Sequence, residues 1–185
     1  MTSQQDAKAA LRAATMAKRA TDHGKGLDAS AVARLLAWIG PVQGAVIAGY
    51  MPIRSEISPL AAMASLSRDN TLCVPVVQGA GLPLEFHHWS PDAEMVPGAF
   101  GASVPKSAKP QTPDIVIVPL VAFDSDRGRL GYGGGFYDRT LEQLRAANSA
   151  LRVVGFAYDA QHVAQVPLEP TDQPLDALIT PTRCL

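Results

Sequence analysis

The chain is short of almost everything that advertises a function at a glance. Its two cysteines, Cys73 and Cys184, stand far apart, form no CxxC pair and sit in no metal-ligand spacing. They are expected as a buried core thiol and a free thiol near the terminus, in a reducing compartment. Charged residues make up only 18% and the net charge is −1. No overall field draws nucleic acid or an anionic membrane, so any anion site must be local. No stretch approaches the roughly 18 apolar residues of a membrane span. Met1-Thr-Ser-Gln-Gln-Asp6 leads into alternating alanine and basic residues with no apolar signal core. A soluble cytoplasmic protein is therefore expected, a monomer or weak homodimer with no nucleic-acid or membrane partner. The four histidines carry no catalytic signature. His87 and His88 are neighbours on an expected strand and face opposite sides, while His23 and His162 stand alone. No Ser-His-Asp or Cys-His arrangement has a local signature, and there is no internal repeat or low-complexity tract.

What is present is a layered pattern. The 185 residues fit one domain, 1–185, long enough to bury about two-thirds of its unfolded surface. Residues 5–20 are alanine-rich with basic residues at helical spacing. Asp28 is placed to cap a second helix ending at Ile39, before Gly40-Pro41, and Ser58-Pro59 opens a third over about 59–67. Strands are expected at Ala45–Tyr50, Thr71–Val77, Leu84–Trp89 (half-exposed), Asp114–Leu120, Arg152–Tyr158 and Ala177–Thr180. Residues 91–113 read as a long surface loop and Val166–Pro174 as a proline-rich one. A helix over Thr140–Ala147 completes the set. Helices alternating with short apolar strands predict an α/β layered fold.

The densest feature is Phe123-Asp-Ser-Asp-Arg-Gly-Arg-Leu-Gly-Tyr-Gly-Gly-Gly-Phe-Tyr-Asp-Arg139. It lies between an expected strand and an expected helix, where backbone N–H groups and the positive end of a helix dipole can face an anion. It is not a P-loop, because Gly128 and Gly133 are followed by Gly134 and Gly135 rather than by Gly-Lys and Ser or Thr. It is not the dinucleotide fingerprint, because the third glycine position falls on Phe136. Asp124-Ser-Asp126-Arg-Gly128 faintly resembles a calcium loop, yet Gly135 stands where an EF-hand needs glutamate. A tight turn accounts for one or two glycines, not for Gly131, Gly133, Gly134 and Gly135 beside Arg129, Asp138 and Arg139.

Other residues gain meaning only in combination. Lys8 and Arg12 share a helix face, which is ordinary solvated surface unless that helix folds against the glycine loop. Glu56 lies in a loop after a strand, where α/β sheets supply ligand contacts. Asp138 directly follows the cradle, and Asp172 joins it only if the tail loop returns; one or two carboxylates with phosphate oxygens suit magnesium.

The stretch Pro119-Leu-Val-Ala-Phe-Asp124 followed by Gly128-Arg-Leu-Gly-Tyr-Gly-Gly-Gly-Phe-Tyr-Asp-Arg-Thr-Leu141 closely resembles the signature of 5-formyltetrahydrofolate cyclo-ligases, also called methenyltetrahydrofolate synthetases. Lys8-Ala-Ala-Leu-Arg12, Tyr50–Glu56 and Asp172-Gln-Pro-Leu-Asp176 resemble further family segments in the right order. The resemblance implies a three-layer α/β/α sandwich with a mostly parallel or mixed sheet, related to the sugar-phosphate isomerase and CoA-transferase architecture. It implies ATP-dependent conversion of 5-formyltetrahydrofolate to 5,10-methenyltetrahydrofolate, with ATP and a reduced formylated folate as ligands and Mg2+ as cofactor. By the same resemblance Lys8, Arg12, Arg129, Gly131, Gly133, Gly134, Gly135, Tyr137 and Asp138 would bind ATP. Met51, Glu56, Tyr132, Phe136 and the three consecutive glycines would bind the folate. Arg129, Tyr132 and Phe136 would be catalytic, and Asp138 and Asp172 would hold the metal. Two positions depart from the family pattern: Val104 replaces a usual glutamate, and Phe136 a usual tyrosine. The alternatives are a same-scaffold enzyme for another small formylated or phosphorylated metabolite and a folate- or nucleotide-binding regulator without turnover.

Overall fold

The structure is a computed structural model and describes residues 4–185; the first three residues of the N-terminal reading lie outside the described residues. The helices are α1 (Gln4–Asp22), α2 (Asp28–Ile39), α3 (Leu60–Leu66) and α4 (Phe136–Ala147). The strands are β1 (Val46–Ala48), β2 (Thr71–Val77), β3 (Leu84–Trp89), β4 (Met95–Pro97), β5 (Ser103–Pro105), β6 (Pro110–Gln111), β7 (Ile115–Pro119), β8 (Ala122–Phe123), β9 (Arg129–Leu130), β10 (Arg152–Phe156) and β11 (Ala177–Ile179). Seven of them form one sheet in the order β11-β10-β7-β1-β2-β3-β6. Pairings from β11 through β2 are parallel, and β3 and β6 add an antiparallel edge.

The apolar run of β7 explains the layering. Ile115 and Ile117 face one core, shared with Ala31, Leu35 and Ile39 of α2 and Ala62 and Met63 of α3. Val116 and Val118 face the other, shared with Val153, Leu178 and Leu141 of α4. A strand buried on both faces needs apolar residues at every position, not at alternate ones. The result is the expected mixed, mostly parallel α/β/α arrangement. Cys73 lies inside it, and burial pushes its thiol up to about 12, far from a reactive thiolate. Cys184 is free and exposed. No helix among the described residues is long and apolar enough to cross a membrane.

Several local expectations need correction. Asp28 does not cap α2; Leu27 stands at that position, and the Asp28 carboxylate instead accepts the Tyr158 hydroxyl at 2.7 Å. A buried phenol needs an acceptor, and Asp28 meets that need. β3 is not half-exposed: Leu84, Phe86, His87 and Trp89 are all buried, because α4 covers its outer end, where Thr140 Oγ accepts the Leu84 N–H at 2.8 Å. Residues 91–113 are not all loop. They contain the β4–β5 hairpin and the edge strand β6, whose proline and glycine content resembles loop composition. α4 starts at Phe136, four residues before the expected Thr140. The glycine segment also holds the β8–β9 hairpin, whose turn is fastened by Asp124. Its carboxylate accepts the N–H groups of Asp126, Gly128 and Val166 at 3.1, 2.8 and 2.8 Å. Asp124 is thus spent on backbone.

Candidate active site

The site forms where the strand order reverses. β1 lies between β2 and β7, so chain direction across the sheet diverges at the β1–β7 pair, and ligands of open α/β sheets bind outside the carboxyl ends of such strands. The loop carrying Glu56 leaves the carboxyl end of β1, and the glycine segment follows β7. Two distant sequence segments therefore meet because their strands are neighbours.

Helix α1 closes this site with an unusual face. Its buried residues are Lys8, Thr15 and Arg19, with Arg12 half-buried between them. The spacing 8, 12, 15, 19 is one helical stripe, but it is polar where a core stripe is normally apolar. Arg12 Nε donates to the Gly131 carbonyl at 2.8 Å. At Gly133 any Cβ would come within 3.2 Å of the Arg12 guanidinium carbon. Lys8 Nζ lies 3.0 Å from a Glu169 carboxylate oxygen and 3.7 Å from Asp172. The condition that gives Lys8 and Arg12 meaning is met: α1 packs on the glycine loop, and Lys8 draws in the tail loop.

The loop itself demands glycine at two places. Gly133 has φ 101° and Gly135 φ 64°, both in the left-handed region that side chains disfavour. Gly135 precedes the first residue of α4, so the helix N-terminus opens onto the loop. Arg139 donates to the Gly134 carbonyl at 2.7 Å and lies over the Phe136 ring at 5.4 Å. Phe136 also meets the ring of Phe100, 5.8 Å away, from the tip of the β4–β5 hairpin. Val104 stands in β5 of that hairpin and packs so closely on Gly98 that a Cβ there would approach its methyl to 2.7 Å. An apolar residue suits that packed position.

Asp138, in the first turn of α4, accepts from a terminal nitrogen of Arg129 and from the Gln173 backbone N–H at 3.0 Å on the same oxygen. The tail loop does return: Gln173 touches Asp138, and Asp172 is its chain neighbour. The Asp172 carboxylate accepts the Glu169 N–H at 2.7 Å.

Within the loop, Tyr132 donates its hydroxyl to Glu56 Oε1 at 2.9 Å, and Glu56 Oε2 accepts the Ile53 N–H at 2.8 Å. Glu56 is 5% exposed. Burial raises its carboxyl above the ordinary range, opposed by the Ile53 N–H, the Tyr132 hydroxyl, Arg19 and Arg54. Burial and the nearby Glu56 push the Tyr132 phenol up to about 12. Tyr137 is raised further by burial, and its hydroxyl is buried without a hydrogen-bond partner. Its surroundings are therefore interior, near Glu56 and Arg129. Met51 is half-buried against the core cluster that holds Tyr50 and Ile57.

Sequence reasoning overlooked Arg19, Arg54, Phe100 and Glu169. Arg19 continues the Lys8–Arg12 stripe by one turn beyond Thr15, so extending the helical spacing would have found it. Arg54 has φ 54° and lies 5.8 Å from the Tyr132 ring centre. Phe100, 71% exposed, has no sequence signal apart from its glycine neighbours.

The model of the 5-formyltetrahydrofolate cyclo-ligase family matches residues 4–181. The Escherichia coli K12 protein named 5-formyltetrahydrofolate cyclo-ligase is 40% identical over 105 residues, covering 54% of this chain and 57% of that relative. The match thus spans little more than half of the E. coli protein's length. A Haemophilus influenzae protein of the same name is 39% identical over 140 residues, 70% of this chain and 72% of that one. The solved Aquifex aeolicus 5,10-methenyltetrahydrofolate synthetase superimposes with a TM-score of 0.78 at 27% identity, over 96% of this chain and 91% of its own. The Mycoplasma pneumoniae synthetase gives 0.73 at 25% identity, over 93% and 97%. The chain belongs to the 5-formyltetrahydrofolate cyclo-ligase family.

Proposed function

We propose that residues 1–185 act as one domain catalysing the ATP-dependent conversion of 5-formyltetrahydrofolate to 5,10-methenyltetrahydrofolate, with release of ADP and phosphate. One observation carries this reading. The glycine loop is held by Arg12, whose Nε lies 2.8 Å from the Gly131 carbonyl, and by Glu56, 2.9 Å from the Tyr132 hydroxyl. A cation and a buried carboxylate thus touch neighbouring residues of one five-residue segment. That arrangement suits a site where a triphosphate and a second substrate meet.

In this reading Lys8, Arg12 and Arg129 hold phosphate oxygens around the Gly131–Gly135 backbone, with Tyr137 and Asp138 behind it. Met51 and Phe136 flank the folate, and Glu56 accepts hydrogen bonds from pterin N–H groups. The formyl oxygen attacks the γ-phosphorus while the bond from that phosphorus to the bridging oxygen breaks and ADP leaves. N10 then adds to the formyl carbon and loses its proton. The carbon–oxygen bond breaks, and phosphate departs with the former formyl oxygen. The protein's share is alignment and charge neutralisation.

Magnesium fits the donor set. Among the described residues no group of three His, Cys, Asp or Glu side chains is arranged to hold a metal alone. Asp138 accepts the backbone N–H of Gln173, the chain neighbour of Asp172, and magnesium bound with nucleotide takes one or two carboxylates plus phosphate oxygens. Asp138 and Asp172 would hold it, where it would neutralise charge on the β- and γ-phosphates. The two thiols, Cys73 and Cys184, are free, which suits the cytoplasmic setting proposed here; the protein is proposed to be a monomer or weak homodimer.

The test is to mix the protein with 5-formyltetrahydrofolate, ATP and magnesium and follow methenyl absorbance. Product is expected, and chelating the magnesium is expected to stop it. ATP binding without product would refute the proposed activity.

A further inference from the structure

The polar stripe of α1 ends in a residue that the proposed chemistry does not use. Arg19 is 1% exposed. Its Nε donates to Ser55 Oγ at 3.1 Å, and one terminal nitrogen lies 3.9 Å from Glu56 Oε1. The guanidinium sits 5.7 Å from the centre of the Tyr132 ring. Both terminal nitrogens are buried without a hydrogen-bond partner. Burying a guanidinium with unspent donors is costly, and an apolar side chain of similar volume would fill the same space without that cost. The position therefore has a use beyond packing.

We infer that Arg19 is a positioning residue that keeps Glu56 ionised and holds it and Tyr132 in place for the folate, an inference that rests on the proposed function. The groups facing Glu56 are Arg19 from α1, the Ile53 N–H and Arg54 from its own loop, and Tyr132 from the glycine loop. Tyr50 after β1 and Tyr137 in α4 complete them. The phenols are neutral near pH 7, so among these facing groups the positive charge comes from Arg19 and Arg54. Arg54 is exposed, and water and salt screen it. Arg19 acts from a dry position, where a charge counts for more. Glu56 is raised by burial, so its contribution to stability is present below its unfolded range and is lost as pH rises through its folded value. Keeping it ionised at neutral pH thus opposes folding, and Arg19 offsets that opposition.

The experiment compares wild type, Arg19→Gln and Arg19→Lys for turnover against pH, with separate KM values for folate and ATP. In Arg19→Gln the acid limb of kcat/KM for the folate is expected to move to higher pH. The folate KM at pH 7 should rise about tenfold, with the ATP KM unchanged. Arg19→Lys keeps the charge and is expected to restore the acid limb, leaving a smaller rise in folate KM from the lost fork geometry. If Arg19→Gln does not fold, a folate-specific KM rise in Arg19→Lys carries the same conclusion. An unmoved acid limb in Arg19→Gln, or equal KM changes for both substrates in Arg19→Lys, overturns the inference alone. A wild type that neither turns over nor binds 5-formyltetrahydrofolate overturns the proposed function and this inference with it.

Discussion

Asp138→Asn is expected to lower turnover about a hundred- to a thousandfold while leaving the protein folded. Asp138→Ala is expected to behave differently, because the structure gives the Asp138 side chain two partners. One Asp138 oxygen serves both Arg129 and the Gln173 N–H. The Arg129 side chain is only 5% exposed. Alanine would leave that guanidinium buried and unpaired, at a cost of about 3 kcal/mol, the low end for such a loss because Asp138 itself keeps some contact with water. For a chain of this size that is a fall of roughly 10 °C in Tm. Asparagine keeps the one oxygen that accepts from both the Gln173 N–H and Arg129, so its Tm should stay nearer wild type than that of the alanine variant. Both variants lose the carboxylate assigned to magnesium, so both should lose turnover alike. Thermal unfolding beside steady-state rates separates the roles. Near-normal turnover in Asp138→Asn removes the metal assignment.

Arg129→Ala is expected to reduce kcat/KM for ATP about a hundred- to a thousandfold, with the folate KM changed less than about threefold. The direction follows from position. Arg129 lies in β9 before the glycine loop and points to Asp138, at the α4 end of the cradle. The side proposed for the folate holds Glu56 and Tyr132, which are hydrogen-bonded to each other. Because Arg129 and Asp138 form one pair, their effects are not independent. The double variant should lose much less than the product of the single losses. Equal loss for both substrates in Arg129→Ala would place the residue at the junction between them.

How far the sequence carries depends on the kind of signal. β7 was legible because its apolar run is what burial on two faces requires. Gly131, Gly133, Gly134 and Gly135 were legible because turns alone do not need so many. The start of α4 was misread because Gly135 looks like loop, and only its carbonyl, which accepts the Arg139 N–H at 3.2 Å, marks it as the residue before a helix. The β4–β5 hairpin was hidden for a similar reason: its prolines and glycines have loop composition, while its pairing depends on register with distant residues. Arg12 could be flagged but not placed, since a basic helix face is normally solvated. Arg19 was overlooked because periodicity arguments search for apolar stripes, and the buried stripe of α1 is polar. Glu56 meets Tyr132 only because β1 and β7 are neighbours in the sheet, a fact of topology that no local pattern contains.

The central claim is that a γ-phosphoryl group and a formyl oxygen meet at the glycine loop. Turnover of 5-formyltetrahydrofolate carrying heavy oxygen in its formyl group tests it most directly, with the released phosphate analysed by mass. The account predicts one heavy oxygen in the phosphate for each methenyl product formed. Unlabelled phosphate, with the heavy oxygen recovered in water, would contradict it.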